Sequence, residues 1–258
     1  MFYFDYLVVI LLGLSFGSFA NVCINRLPYQ ISIIPPSRCP NCKSKIQYFD
    51  NIPILSYFIL SGISRCCNKK ISLQYPIVEF VIMLFGIVIY YYLGRSLDSI
   101  FIFIFILSLI IIFVTDLKDF IIPNIISYLM IILGIILSFL KINPLNTLAT
   151  DSLIGGIISG LIFYTISKIF IIIRKKEGLG MGDVKMISMV GFWVGLESIL
   201  IIITLSSILG LIFAFSFVAF KKIDFSQYIP FGCFISIGTI ITVYIKIVLQ
   251  LNFYSLLI

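Results

Sequence analysis

The sequence predicts an all-α polytopic membrane protein of about eight transmembrane helices, with a cysteine-containing cytoplasmic loop between the first two. Hydrophobic residues fill 61% of the 258 positions and charged residues only 11%, where a soluble domain carries about 25% charged residues. Such a chain has too little polar surface to cover a globule in water and takes lipid as its solvent. Apolar runs recur at roughly 6–25, 76–94, 97–115, 121–140, 152–173, 184–197, 198–220 and 230–250. Most approach the ~20 residues that cross a bilayer core. The basic residues between these runs are distributed with a strong bias to one side.

The first run follows Asp5, has no basic residue before it and is succeeded by Arg26, so it reads as a retained span and not a secretory signal. Small residues cluster there at Gly13, Ser15, Gly17, Ser18 and Ala20, and in the fifth run at Gly155, Gly156, Ser159 and Gly160. Such clusters let helices approach closely. The sixth run is short, and its division from the seventh rests on Gly195 and Glu197; seven or nine spans fit the same pattern.

Placing residues 26–75 in the cytoplasm and alternating from there puts Arg26, Arg38, Lys43, Lys45, Arg65, Lys69, Lys70, Lys118, Arg174, Lys175, Lys176, Lys185, Lys221 and Lys222 at the inner face. Arg95 and Lys141 fall outside, and Lys168 and Lys246 within runs. This bias sets the N-terminus outside. It also accounts for the net charge of +7 without a nucleic-acid partner. Membrane lipids with anionic headgroups are the expected partners of the basic loops.

Histidine is absent, which removes the usual general base and metal ligand. Asp116 at the end of the third run and Asp183 at the start of the sixth then stand at one membrane edge, with Asp98 and Asp151 on the opposite side. Ionisable residues near hydrocarbon are costly and usually functional. Asp183 closes a Gly180-Met181-Gly182-Asp183 string. Glycines there open dihedrals closed to other residues and allow close approach of a substrate strand. Two carboxylates sharing a proton can hydrolyse an amide without histidine, one activating water and the other polarising the carbonyl. The plainer reading is that each acid pairs with a nearby lysine, Lys118 or Lys185.

Four of the six cysteines lie in one basic loop, which suits reduced cytoplasmic thiols better than a disulfide framework. Cys39-x-x-Cys42 has the spacing of two thiolates on one zinc ion; free thiols are the other reading. Cys23 and Cys233 read as small core residues.

Longer segments carry a resemblance. Asp116-Leu117-Lys118-Asp119-Phe120-Ile121-Ile122-Pro123-Asn124 resembles the DLxxxxIPN segment of the type IV prepilin peptidases, and Gly178 to Lys185 their second aspartate motif. Gly17 to Val22, running into Asn25-Arg26-Leu27-Pro28, is similar to their N-terminal signature. Ser37 to Cys42, Asp50 to Tyr57, Ile71-Ser72 and Tyr75 to Glu79 follow in family order.

The resemblance implies a membrane aspartyl endopeptidase of the bacterial inner membrane. It would cut the leaders of type IV prepilins or pseudopilins at the cytoplasmic face and then N-methylate the new terminus with S-adenosylmethionine. It implies Asp116 and Asp183 as the catalytic acids, with Asp119 a rival at a position the motif leaves open. Gly180, Gly182, Lys185 and Glu79 are the expected substrate-positioning residues. It implies a structural zinc on Cys39, Cys42, Cys66 and Cys67, although Ser64 stands where the family's second pair has its first cysteine. Three regions follow: 1–95 with two spans and the loop, 96–220 as the peptidase core, and 221–258 as a last span. The competing functions are a GxGD intramembrane protease with other substrates, an ion-coupled transporter and a non-catalytic assembly factor of a pilus or secretion system.

Overall fold

In lipid the backbone must satisfy its own hydrogen bonds, and a helix does so within one segment. The computed structural model describes residues 2–34, 36–175, 178–219 and 230–255; Lys176, Lys221 and Lys222 of the charge argument lie outside the described residues. Its α-helices are α1 (Phe2–Arg26), α2 (Leu55–Ile59), α3 (Gln74–Leu93), α4 (Leu97–Asp119), α5 (Asn124–Phe139), α6 (Ala149–Arg174), α7 (Met181–Val194), α8 (Leu196–Ala219) and α9 (Phe231–Ser255). No strand occurs among the described residues.

Apart from the five-residue α2, these helices follow the eight apolar runs. Six of them, α1, α3, α4, α6, α8 and α9, are long and apolar enough to cross a membrane. At 16 and 14 residues, α5 and α7 are shorter, about 24 and 21 Å long at 1.5 Å per residue.

The chain forms two units, residues 1–111 and 112–258, and the boundary falls inside α4. In the first, α1 and α3 pack through the small residues of α1. A Cβ on Gly17 would come within 2.6 Å of the Glu79 Cα, and one on Gly13 within 2.8 Å of the Met83 Cα. Asn21, buried between them, donates to the Tyr75 carbonyl at 3.1 Å.

In the second unit α7 is the core, with Met186, Ile187, Met189, Val190 and Trp193 fully buried. The small residues of α6 seat it: a Cβ on Gly191 would stand 2.5 Å from the Gly155 carbonyl oxygen, and Gly156 lies against the Phe192 ring. Ser188 donates to the Gly156 carbonyl at 2.8 Å, and Ser152 to that of Phe192. The Trp193 indole donates to the Met130 carbonyl of α5 at 2.9 Å.

The break between α7 and α8 falls at Gly195, which adopts φ 82°, a conformation glycine takes at no steric cost. Helix ends leave unpaired backbone groups, and here side chains meet them. Lys246 donates to the Val194 carbonyl at 2.8 Å, and Asp151 accepts the Leu196 N–H at 3.1 Å. The lysine placed in a span and the excluded acid Asp151 are thus both helix caps at the far end of α7 from Asp183.

Candidate active site

Asp116 occupies the last turn of α4. That helix ends where Phe120 turns to φ 54° and donates to the Asp116 carbonyl at 3.0 Å. Ile121, Ile122 and Pro123 then run without helix into α5. Asp116 is 5% exposed, and its Oδ2 accepts the backbone N–H of Cys233, at the start of α9, at 3.0 Å. The Cys233 thiol donates to the Phe113 carbonyl of α4 at 3.2 Å.

Asp183 is the third residue of α7 and is partly exposed. It lies close enough for the Asp116 carboxylate to act on it electrostatically, and the Cys233 thiol is in range of both. Ile122 seats the three elements: a Cβ on Gly182 would lie 3.1 Å from its Cβ, and one on Gly232 2.9 Å from its Cδ1. Asp98, eighteen positions from Asp116 along α4, lies about 27 Å away at 1.5 Å per residue.

The glycines act differently from the sequence expectation. Gly180 has φ −65° and ψ 143°, open to any residue, and Gly182 is not among the glycines with positive φ. What distinguishes them is close packing. A Cβ on Gly180 would stand 3.2 Å from Asp183 Oδ2, while Gly182 is pressed on Ile122.

Among the described residues neither aspartate forms an ion pair. Lys185 instead donates to Asn124 Oδ1 at 2.7 Å and sits 5.4 Å over the Tyr128 ring, tying α7 to the start of α5. The simple lysine-pairing reading therefore fails for it.

Glu79 belongs to the first unit, 7% exposed on α3, where its carboxylate accepts the Ile54 N–H at 2.7 Å. Ile54 is held at φ 60°, a costly conformation for a β-branched residue. Glu79 is therefore a clamp on the 48–59 segment. Glu79→Gln is expected to weaken that charged hydrogen bond, worth about 1.5–3 kcal/mol. The check is faster amide exchange at residues 52–58; unchanged exchange would refute the clamp.

The cysteine loop folds as two matching turns. Arg38 bridges Lys45, and Ile63 bridges Lys70. Cys39 N–H donates to Ser44 and Ser64 N–H to Lys69, and Lys43 and Asn68 both take positive φ. This register sets Ser64 opposite Cys39 and Cys67 opposite Cys42, leaving Cys66 one place before the matched cysteine. Even so, Sγ of Cys39, Cys42, Cys66 and Cys67 all lie within 4.8 Å of one another. Cys39 and Cys67 are 3.7 Å apart, and Cys42 and Cys66 3.1 Å. A tetrahedral zinc with ~2.3 Å bonds needs sulfur separations of about 3.8 Å, so the four thiols fit the ion. Ser64 Oγ lies 3.1 Å from Cys66 Sγ. Hydrogen bonds from the Cys42 and Asn41 backbone pull the Cys39 thiol down to about 6, and the Ser44 and Ser64 hydroxyls lower Cys66. Thiolate is the metal-binding form.

Residues 11–93 match the bacterial peptidase A24 N-terminal domain, and residues 103–215 the type IV leader peptidase family. A prepilin leader peptidase/N-methyltransferase of Vibrio cholerae is 34% identical over 249 residues, covering 92% of this chain and 96% of that protein. The chain belongs to the type IV leader peptidase family. A second family relative, the type 4 prepilin-like proteins leader peptide-processing enzyme of Escherichia coli O78:H11, is 32% identical over 91% of each chain. A prepilin leader peptidase/N-methyltransferase of Stutzerimonas stutzeri is 28% identical over 90% of this chain and 88% of its own. No solved structure matches.

Of the residues singled out from sequence in this family member, Asp116, Asp183, Gly182 and Lys185 gather around α7, and the four loop cysteines cluster separately. The start of α9 was not anticipated as part of the site: Cys233 was read as core, and buried it is. The available signal was Pro230-Phe231-Gly232, a break at the same membrane edge as the acids.

Proposed function

We propose that this chain is a membrane aspartyl endopeptidase that removes the leaders of type IV prepilins or pseudopilins at the cytoplasmic face of the bacterial inner membrane. The observation that carries the reading is the meeting of Asp116 and Asp183, with no ion pair to either among the described residues, in a chain without histidine. One carboxylate takes a proton from water while the other, protonated, donates to the scissile carbonyl oxygen. The resulting tetrahedral intermediate collapses with proton delivery to the leaving amine, so water is added across one C–N bond. The pair titrates as a unit. Both acids end or begin apolar helices. A substrate whose apolar segment lies in lipid would present a bond just outside that segment at their level.

The bias of the described basic residues supports a cytoplasmic site. The printed names of the relatives support methylation of the new N-terminus by S-adenosylmethionine; no donor set among the described residues stands out for that cofactor, and no residue is assigned to it. Reconstituted in lipid vesicles with a prepilin, the protein is expected to release the leader peptide. An intact prepilin under those conditions would sink the reading.

Zinc fits Cys39, Cys42, Cys66 and Cys67, where it would cross-link the two turns of the loop. Four protein ligands leave no open position, so its contribution would be structural. Purified protein is expected to carry about one zinc per chain, lost in Cys66→Ser and retained in Ser64→Ala. Metal analysis reads both, and zinc retained by Cys66→Ser would remove Cys66 from the site.

A further inference from the structure

The start of α9 reaches the aspartates from a part of the chain no active-site motif touched. We propose that Gly232 and the backbone N–H of Cys233 are positioning elements that hold Asp116 as the ionised, water-activating member of the pair. The inference rests on the peptidase reading above and assigns distinct roles within it.

Three observations carry it. Asp116 is almost wholly buried, and its Oδ2 accepts an N–H from another helix at 3.0 Å. That N–H belongs to the first turn of α9, where it is shared with the Pro230 carbonyl at 3.3 Å and the helix end is electropositive. A hydrogen bond to an anionic carboxylate is stronger than one to the neutral acid. Finally, a Cβ on Gly232 would stand 2.9 Å from Asp116 Oδ2 and 2.9 Å from Ile122 Cδ1. A larger residue would displace the Asp116 carboxylate or Ile122.

Asp183 also begins a helix, but its Oδ2 lies against Gly180 of its own turn. No N–H from another helix reaches its carboxylate among the described hydrogen bonds. Among the described residues, the ionisable groups that act on Asp116 are Asp183 on α7 and the Cys233 thiol on α9. Lys185 is held by Asn124. The first turn of α9 is therefore the source of the donors that contact Asp116, the Cys233 N–H at 3.0 Å with the Cys233 thiol beside it.

Two variants test this. Cys233→Pro deletes the N–H, and the thiol with it, within the first turn of α9; Cys233→Ala, which removes the thiol alone, is its control and should keep the acidic limb in place. Gly232→Ala keeps the N–H and pushes the carboxylate away. In prepilin cleavage by the full-length protein in vesicles, Cys233→Pro and Gly232→Ala are each expected to lower kcat about 10-fold or more with KM unchanged. In Cys233→Pro the acidic limb of the kcat profile should also move up by about one pH unit, with activity partly recovered at higher pH. A purely structural role would lower the rate evenly across pH and raise KM. If Gly232→Ala keeps kcat within about twofold, or neither variant moves the acidic limb, the inference falls while the peptidase reading stands. If Asp116→Asn still cleaves, the peptidase reading itself fails.

Discussion

Asp116→Asn and Asp183→Asn are each expected to slow leader release by about 10³-fold or more, with insertion and thermal stability close to those of the parent protein. Positioned proton transfer contributes about 10²–10⁴-fold, and here one carboxylate must take a proton while the other gives one. Asparagine keeps the shape and can do neither. Asp116→Asn retains an oxygen acceptor for the Cys233 N–H, so the α4–α9 contact should survive. The two groups act as one unit, so the double variant should be no slower than either single variant. Initial rates in vesicles read the effect. Additive losses would mean that the acids work in separate steps.

The second large effect concerns the seat of α7. Gly191→Ala would put a Cβ 2.5 Å from the Gly155 carbonyl oxygen and 2.8 Å from Ser159 Oγ. The first neighbour is backbone and cannot rotate aside. Overpacking of this kind costs about 1–3 kcal/mol, and a shift of α7 carries Asp183 with it. Gly191→Ala should therefore lower both the melting temperature in detergent and the cleavage rate, although residue 191 lies more than two turns from Asp183. Gly210→Ala is the matched comparison: the nearest neighbour of its new Cβ would be the Phe234 ring, at an ordinary 3.5 Å. Removing a helical glycine there is worth up to about 1 kcal/mol of helix propensity, so that variant should be neutral or slightly more stable. Equal melting points for the two would refute the close α6–α7 seat.

Much of this architecture is written locally. The break between α7 and α8 could be found because Gly195 interrupts an apolar run and needs positive φ. The close pairs of helices could be found because small residues cluster on α1 and α6. Span length was harder for α5, which falls in a full apolar run yet is only 16 residues of helix, while the shortness of α7 at 14 residues was already visible in the sixth run. The short α7 is completed by Lys246, 52 positions from the Val194 carbonyl it caps, and α8 is begun by Asp151, 45 positions from the Leu196 N–H; no local pattern announces such distances.

The site divides in the same way. Asp116 and Asp183 were visible because few other residues in this chain can move a proton. The third member was not, because the Cys233 group that touches Asp116 is a backbone N–H 117 positions away, and every residue but proline has one. Gly180 and Gly182 were found for a conformational reason and turn out to matter for space. Glu79 and Lys185 were marked by charge alone, which does not distinguish a residue that faces substrate from one that holds a loop or ties two helices. In the cysteine loop the spacing defect at Ser64 argued against a complete ligand set. The fold of the second turn nonetheless brings Cys66 to the cluster, a compensation visible only in three dimensions.

The central claim is that one pair of carboxylates, Asp116 and Asp183, cuts a prepilin. Its most direct test is the mass of a prepilin's N-terminus after co-expression with this protein or with either asparagine variant, in cells lacking another such peptidase. The account predicts a leaderless N-terminus with the parent protein and a full-length one with each variant, all three enzymes being present in the membrane at equal levels. A leaderless prepilin in the presence of either variant would contradict it.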